Sequence, residues 1–250
     1  MKILLLNASP KHRFSASQYF LDLLKIQLMR CELNELKFTG RKSCNEIFDC
    51  FKTIDALVIA LPVYVDGVPA KVLEFLTEAE EFCKRENCKF KLYVISNCGF
   101  FEGRQCKNAL SIMRSFCTAA GLEWGTGLGI GGGEMLNILR LIIPAFEFVK
   151  LLLTMAVFVF TNRFLEGLLN YNWISVIISM SIFFAFNFGL FASLFKLQRI
   201  IKKGGKTLNF YSGVTCCPRL LFTVFACCYW IIRASFHGTN FFQLYRKIKN

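Results

Sequence analysis

The sequence predicts a doubly wound, five-stranded parallel α/β sheet over residues 1–137, followed by an all-α transmembrane hairpin region over residues 138–250. Three observations lead there. Short unbroken apolar runs alternate with stretches of helical periodicity through the first half, the pattern of strands buried on both faces and joined by helical crossovers. Charge divides at the same place: residues 1–137 hold 17 basic and 15 acidic side chains, residues 138–250 hold 13 and 2. Finally, the 29 residues from Gly167 to Phe195 carry no charge. That exceeds the ~20 residues a helix needs to cross the hydrocarbon core of a bilayer.

Ile3-Leu4-Leu5-Leu6 is the first buried strand, stopped by Asn7-Ala-Ser-Pro10. The period then changes: Phe20, Leu23, Leu24, Leu28 and Cys31 form one helical stripe, with Ser17 as its expected N-cap. A weaker strand follows at Leu36 to Thr39, and Ala56 to Leu61 is a third strand, broken by Pro62. Pro69 opens a helix whose apolar face is Val72, Leu76, Ala79 and Cys83. Leu92 to Ile95 is the fourth strand, and Ala109, Met113, Phe116 and Ala120 mark a helix that ends at Gly121. A glycine-rich fifth strand covers Thr126 to Ile130.

An apolar fraction of 54% against 19% charged residues excludes a disordered chain. The twelve cysteines contain no Cys-x-x-Cys pair and meet only two histidines, His12 and His237, so no zinc or iron–sulfur ligand set is visible. They read as reduced thiols in a reducing compartment. The four apolar residues behind Met1-Lys2 fall short of the ~7–15 of a signal-peptide core, which leaves the first half in the cytoplasm.

In doubly wound sheets the ligand lies beyond the carboxyl ends of the strands, where the strand order reverses. The loops after strands one, three and four therefore matter. The first offers hydroxyls at Ser9, Ser15 and Ser17, cations at Lys11 and Arg13, and the free amides of a helix start, together an anion site. It has neither Gly-x-Gly-x-x-Gly nor Gly-Lys-Ser/Thr, and suits a single phosphate; the alternative is a serine-rich capping turn. In the second loop Tyr64 offers a flat apolar face with a hydroxyl that reaches solvent, or else caps a strand end. Gly67 and Gly99 let the backbone approach a ring edge. No Ser/His/Asp or Cys/His pairing is present.

These residues carry a resemblance. Ser9-Pro10-Lys11 through Ser15 and Ser17, directly after a first buried strand, resembles the phosphate loop of the flavodoxin-like NAD(P)H-dependent FMN reductases. Pro62-x-Tyr64 followed by Pro69-Ala70 and its helix resembles that family's second loop, and Asn97-Cys98-Gly99-Phe100 its third. The resemblance covers roughly residues 1–135. It implies a flavodoxin-like fold, bound FMN, and electron transfer from NADH or NADPH through FMN to a small-molecule or membrane acceptor such as a quinone. It further implies cofactor contacts from Ser9, Lys11, Ser15, Ala16, Ser17, Pro62, Val63, Tyr64, Val65, Gly67, Asn97, Cys98, Gly99 and Phe100, with no catalytic side chain and no metal. Ala8 stands where the family commonly has glycine, and Phe14 is bulky for a loop tip. The cysteine cluster of the iron–sulfur branch is absent, which leaves flavin alone. A membrane-attached electron carrier or binding protein without turnover is the alternative.

In the second half the expected spans are 141–162 and 172–195, with an interfacial helix at 219–233. Tyr171 and Trp173 suit an aromatic belt at one end of the second span. Lys196, Arg199, Lys202, Lys203 and Lys206 crowd past its other end and, by the positive-inside rule, face the cytoplasm. Glu147 and Lys150, three apart, pair on one helix face, and a short outer loop carries Arg163 and Glu166. The pairs Cys216-Cys217 and Cys227-Cys228 read as apolar filler, and His237 as an interfacial residue. The cations flank apolar spans and meet anionic lipid rather than nucleic acid. The expected partners are thus a lipid bilayer, a nicotinamide donor and an electron acceptor. A homodimer stays open, as does a soluble oligomer that buries the apolar half.

Overall fold

The computed structural model describes residues 1–11, 14–159, 171–236 and 238. Residues Met1–Thr215 form one compact unit, and the chain from Cys216 onward a second.

The first unit is built on six parallel strands: β1 (Lys2–Asn7), β2 (Glu32–Lys37), β3 (Ala56–Pro62), β4 (Lys91–Asn97), β5 (Glu123–Ile130) and β6 (Phe210–Ser212). Their order across the sheet is β2-β1-β3-β4-β5-β6. The first five follow the flavodoxin-type order, which reverses direction between β1 and β3. Both strands beside that reversal are the unbroken apolar runs of the sequence, and every residue from Ile3 to Asn7 and from Ala56 to Pro62 is buried.

Helices α1 (Ala16–Gln27), α2 (Arg41–Phe51), α3 (Ala70–Glu86) and α4 (Lys107–Ala119) are the crossovers. Helices α2, α3 and α4 cover one face, where Leu4, Leu57, Ile59 and Val94 of the sheet meet Ile47, Val72, Leu76, Leu110 and Met113. A phenylalanine cluster closes that core, with Phe48 stacked on Phe82 at 4.8 Å and Phe38 against Phe75 at 4.8 Å. Helix α1 lies on the other face against β3 and β4. A short 3-10 turn at Gly103–Cys106 sits flat on β5 and β6, and only glycine fits at 103: a side chain there would collide with the carbonyl oxygens of Gly129 and Ser212.

The second half of the sequence departs from the all-α expectation in two ways. First, the sheet has a sixth strand: β6 pairs with β5 through Leu128↔Phe210, Gly129↔Tyr211 and Ile130↔Ser212. Second, helix α6 (Trp173–Lys202), which follows α5 (Gly133–Val159), is only partly available to lipid. Its stripe of Asn187, Leu190, Leu194, Leu197 and Ile201 is buried, and the helix packs on α1, β5 and β6. That is how a crossover helix behaves: it returns the chain to the sheet edge, where β6 adds to β5. The second half of the expected 172–195 span is therefore docked on the α/β unit.

The basic cluster is likewise on the protein. Lys202 Nζ donates to the Gln27 carbonyl at 3.0 Å, and Lys206 pairs with Glu123, the first residue of β5, at 3.2 Å. These contacts place Lys202 and Lys206 at the amino-terminal edge of the sheet. The last residues of the expected 141–162 span, the loop with Arg163 and Glu166, and His237 lie outside the described residues.

Helix α7 (Arg219–Phe236), where an interfacial helix was expected at 219–233, belongs to the second unit and runs for 18 residues. Among the described residues, α6 and α7 are long and apolar enough to cross a membrane.

Candidate functional site

Three loops leave neighbouring strands at one edge of the sheet. The register fixes this, because Asn7 lies opposite Ala60 and Pro62 opposite Asn97. Hydrogen bonds then tie the loops together. Val63 N donates to the Asn97 carbonyl at 2.7 Å, and Ala8 N to the Ala60 carbonyl at 2.8 Å. The Asn97 side-chain amide donates to Ser17 Oγ at 3.0 Å and to the Leu61 carbonyl at 3.1 Å. Ser9, Tyr64 and Gly99, one from each of the three loops, thus share one edge.

The first loop is ordered by Asn7, whose Oδ1 accepts from Ser9 N (2.9 Å) and whose Nδ2 donates to Gln18 Oε1 (2.7 Å). Helix α1 starts earlier than expected: Ser15, in an extended conformation, is the N-cap, and its Oγ accepts from Gln18 N at 3.1 Å. Ser17 instead sits in the first turn with its hydroxyl on Asn97. Ser9 Oγ accepts from Lys11 N at 3.4 Å. Each of these three buried oxygens accepts a bond and keeps its own proton to donate. The amides of Ala16 and Ser17 belong to the helix start, where the dipole favours an anion. A cavity of about 90 Å³ adjoins the loop, lined by Ser9, Pro10, Lys37, Thr39, Pro69 and Lys71.

Lys11 is engaged differently from the expectation of a cation turned to a ligand. Its ammonium pairs with Glu134 at 2.7 Å, and Asn137 Nδ2 donates to the Phe14 carbonyl at 2.8 Å. The first turn of α5 therefore clamps the first loop. Nothing in the sequence reading pointed to Glu134 or Asn137, nor to Asn7 and Gln18; the one available sign was a carboxylate directly after Gly131-Gly132-Gly133. His12 and Arg13 lie outside the described residues.

The second loop is a tight reversal. Tyr64 and Gly67 exchange both backbone bonds at 3.0 Å, and Val65 (φ 48°) and Asp66 (φ 58°) occupy the left-handed region. Two consecutive positive φ values are the mark of a type I′ turn. The turn pushes Val65 fully into solvent and leaves Tyr64 41% exposed. Pro62 ends β3, and Pro69 is the N-cap residue of α3.

In the third loop Cys98 and Phe100 use their carbonyls to accept from Gly133 N and Gly132 N, at 2.9 and 2.5 Å. The Cys98 side chain is buried under the loop, where the neighbouring Cys106 thiol holds it below the ordinary thiol value and is itself pushed up. No atom lies within 4 Å of where a side chain at Gly99 would begin, and Phe100 is exposed.

The edge thus joins buried hydroxyl donors and a helix start on one loop to exposed apolar surface (Tyr64, Val65, Phe100) and open glycine backbone on the next two. That donor set fits a phosphate joined to a flat apolar ring, as in FMN. Among the described residues, no group of three or more His, Cys, Asp and Glu side chains is placed to hold a metal ion.

No family model matches the sequence, and no curated protein does. Solved structures similar to the chain include an NAD(P)H:quinone oxidoreductase from Methanothermobacter marburgensis, 16% identical with a TM-score of 0.44 over 56% of this chain and 92% of that one. A Trp repressor binding protein from Bacillus subtilis is 11% identical with a TM-score of 0.43, over 50% and 85% of the two chains. An NADPH-quinone reductase from P. pentosaceus is 13% identical with a TM-score of 0.43, over 53% and 86%. Likeness at this level fixes neither ligand nor activity.

Proposed function

We propose that the chain is a flavin-dependent oxidoreductase that holds FMN across the three loops and passes electrons from NADH or NADPH to a small-molecule acceptor. The observation that carries this reading is the Asn97 side chain, which bonds to Ser17 of the first loop while its backbone accepts from Val63 of the second. Phosphate donors and ring-sized apolar surface are thereby held as one constellation.

The hydroxyls of Ser9, Ser15 and Ser17 and the amides of Ala16 and Ser17 would hold the phosphate, with the helix dipole favouring its charge. Tyr64, Val65 and Phe100 would cover the ring and keep water from it. Val63 and Cys98 anchor the backbone of loops two and three, and Gly67 and Gly99 let that backbone approach the ring edge. Lys11 supplies a cation to the phosphate by leaving Glu134. Bound FMN supplies the hydride and electron chemistry, so no ionisable side chain is required as acid or base.

Titration of the purified full chain with FMN and with riboflavin, followed by flavin fluorescence, tests the reading. FMN is expected to bind at least about tenfold more tightly, since only FMN offers the phosphate. Absence of FMN binding overturns the proposal. Consumption of NADH or NADPH by the loaded protein with added acceptors then separates an enzyme from a carrier, which would show flavin without turnover.

A further inference from the structure

Helices α5 and α6 are docked at one end and bare at the other. At the docked end Leu136 is buried, the Arg140 guanidinium sits 4.4 Å over the Tyr19 ring, and the Tyr19 hydroxyl donates to Asn187 Oδ1 at 3.4 Å. Thr215 fixes the height of this dock. Its hydroxyl donates to the Ala185 carbonyl at 2.5 Å and its amide to the Phe186 carbonyl at 3.1 Å. Thr215 lies three residues past Ser212, which pairs with Ile130 at the end of β5. Ala185 therefore stands at the carboxyl edge of the sheet, from which α6 descends to Lys202 at the amino edge. Upstream of Ala185 and downstream of Arg140, the two helices pack on each other as an arm beyond the carboxyl edge.

The arm has its polarity reversed. Inside, Glu147 Oε1 accepts from Ser179 (2.6 Å) and Lys150 (3.0 Å), while Oε2 accepts from Lys150 (3.0 Å), Ser175 (3.2 Å) and the Tyr171 hydroxyl (3.2 Å). Outside, Ile142, Phe146 and Leu153 of α5 and Ile174, Ile177 and Phe184 of α6 are each more than half exposed. A hairpin in water would place these groups the other way round. Satisfying the charged pair within the arm is the condition for placing it in hydrocarbon. A protein partner would need one apolar stripe, whereas here both helices are apolar over their outer faces, which a fluid apolar medium covers. The free part of α6, Trp173–Phe184, is about 18 Å long, short of the ~30 Å hydrocarbon core, so α6 does not cross a bilayer on this segment.

We propose that this arm is a membrane contact: the apolar outer faces of residues 141–153 and 174–184 enter a phospholipid bilayer, set the carboxyl edge of the sheet with its three loops against the headgroups, and turn the amino edge with Lys202, Lys203 and Lys206 away. The exposed side chains of Phe14, Val65 and Phe100 lie on that same carboxyl edge. The inference stands whether or not flavin binds, and it reverses the orientation that the positive-inside rule gave for the lysines.

The test uses the full chain reconstituted in phosphatidylcholine vesicles. With W124F and W230F leaving Trp173 as the sole tryptophan, acyl-chain brominated lipid is expected to quench its emission. With K203W as the sole tryptophan, neither brominated acyl chains nor a headgroup-attached nitroxide is expected to quench. Unquenched Trp173 overturns insertion, and cross-linking of two arms in that case assigns the apolar faces to a second copy of the chain. Quenching of K203W by the headgroup label overturns the orientation. Hydrogen exchange on the unsubstituted protein needs no variant to fold: vesicles are expected to slow exchange at residues 141–153 and 174–184 and not at 200–208. Equal slowing, or none, overturns the proposal.

Discussion

Asn97 and Ser17, 80 residues apart in sequence, meet at 3.0 Å, and the same Asn97 amide lies 3.1 Å from the Leu61 carbonyl. One buried side chain therefore fixes the end of β4 against both β3 and the first turn of α1. Asn97→Ala leaves the Leu61 carbonyl without this donor in a site closed to water, at an expected cost of about 1–3 kcal/mol. Ser17→Ala costs less, because Asn97 keeps its bond to Leu61. The two changes are expected to couple by at least about 0.5 kcal/mol in a double-mutant cycle read by urea unfolding. Strict additivity would mean that the contact does not hold the loops.

The pairing of Lys11 with Glu134 makes a different prediction, because the carboxylate competes with any anion placed on the first loop. Glu134→Gln is expected to raise affinity for FMN about fivefold, the equivalent of ~1 kcal/mol for a freed cation near the surface, and to leave riboflavin unchanged. Lys11→Gln is expected to lower FMN affinity alone. An FMN-to-riboflavin ratio that neither substitution moves would detach this pair from the phosphate.

The strands that were legible in the sequence are those whose burial is two-sided. Leu4 to Leu6 and Ala56 to Leu61 are unbroken apolar runs because helices cover both faces of the sheet there. Edge strands gave less: β2 reads Glu-Leu-Asn-Glu-Leu-Lys and is only part-buried, so its start was placed late, and the three residues of β6 carry no pattern. Helix α2 is short and opens at Gly40 without a side-chain cap, so no start signal marks it although Cys44, Ile47, Phe48 and Phe51 have helical spacing. In α6 the problem was the reverse. Leu190, Leu194, Leu197 and Ile201 have the spacing of a docking stripe, but phenylalanine and isoleucine on the other faces hid it. At the site, the loop residues were visible as types in order along the chain. The partners that hold them, Asn7, Gln18, Glu134 and Asn137, act through contacts that only the folded chain makes.

Val65 is a β-branched residue held at φ 48° in the turn that Tyr64 and Gly67 close. That conformation is strained for valine and accessible to asparagine. Val65→Asn is expected to stabilise the protein by about 1 kcal/mol, seen as a higher urea midpoint. If the turn supports a flavin ring, the same change also weakens FMN binding severalfold, because an exposed apolar wall is lost. Stabilisation without loss of affinity would leave the strain unconnected to the ligand.

Tyr93 gives the unit an alkaline limit. Its ring lies where Gly125 has no side chain to obstruct it, and its hydroxyl donates to the Gly205 carbonyl at 3.2 Å. Burial pushes the phenol up from the ordinary 10.0 to about 12, with a smaller push from Glu123. Above pH 10 the unfolded chain gives up this proton while the folded chain retains it, so stability present below the unfolded value declines as pH rises toward 12. Tyr19, pushed up to about 12 by burial against the opposing effect of Arg140, adds to the same decline. Tyr93→Phe removes the hydroxyl bond, costing about 1 kcal/mol near neutrality, and also removes the proton that the unfolded chain would lose. Urea midpoints of the two proteins are therefore expected to differ at neutral pH and to converge through the alkaline range. Curves that stay parallel would show that the Tyr93 phenol is not what limits stability there.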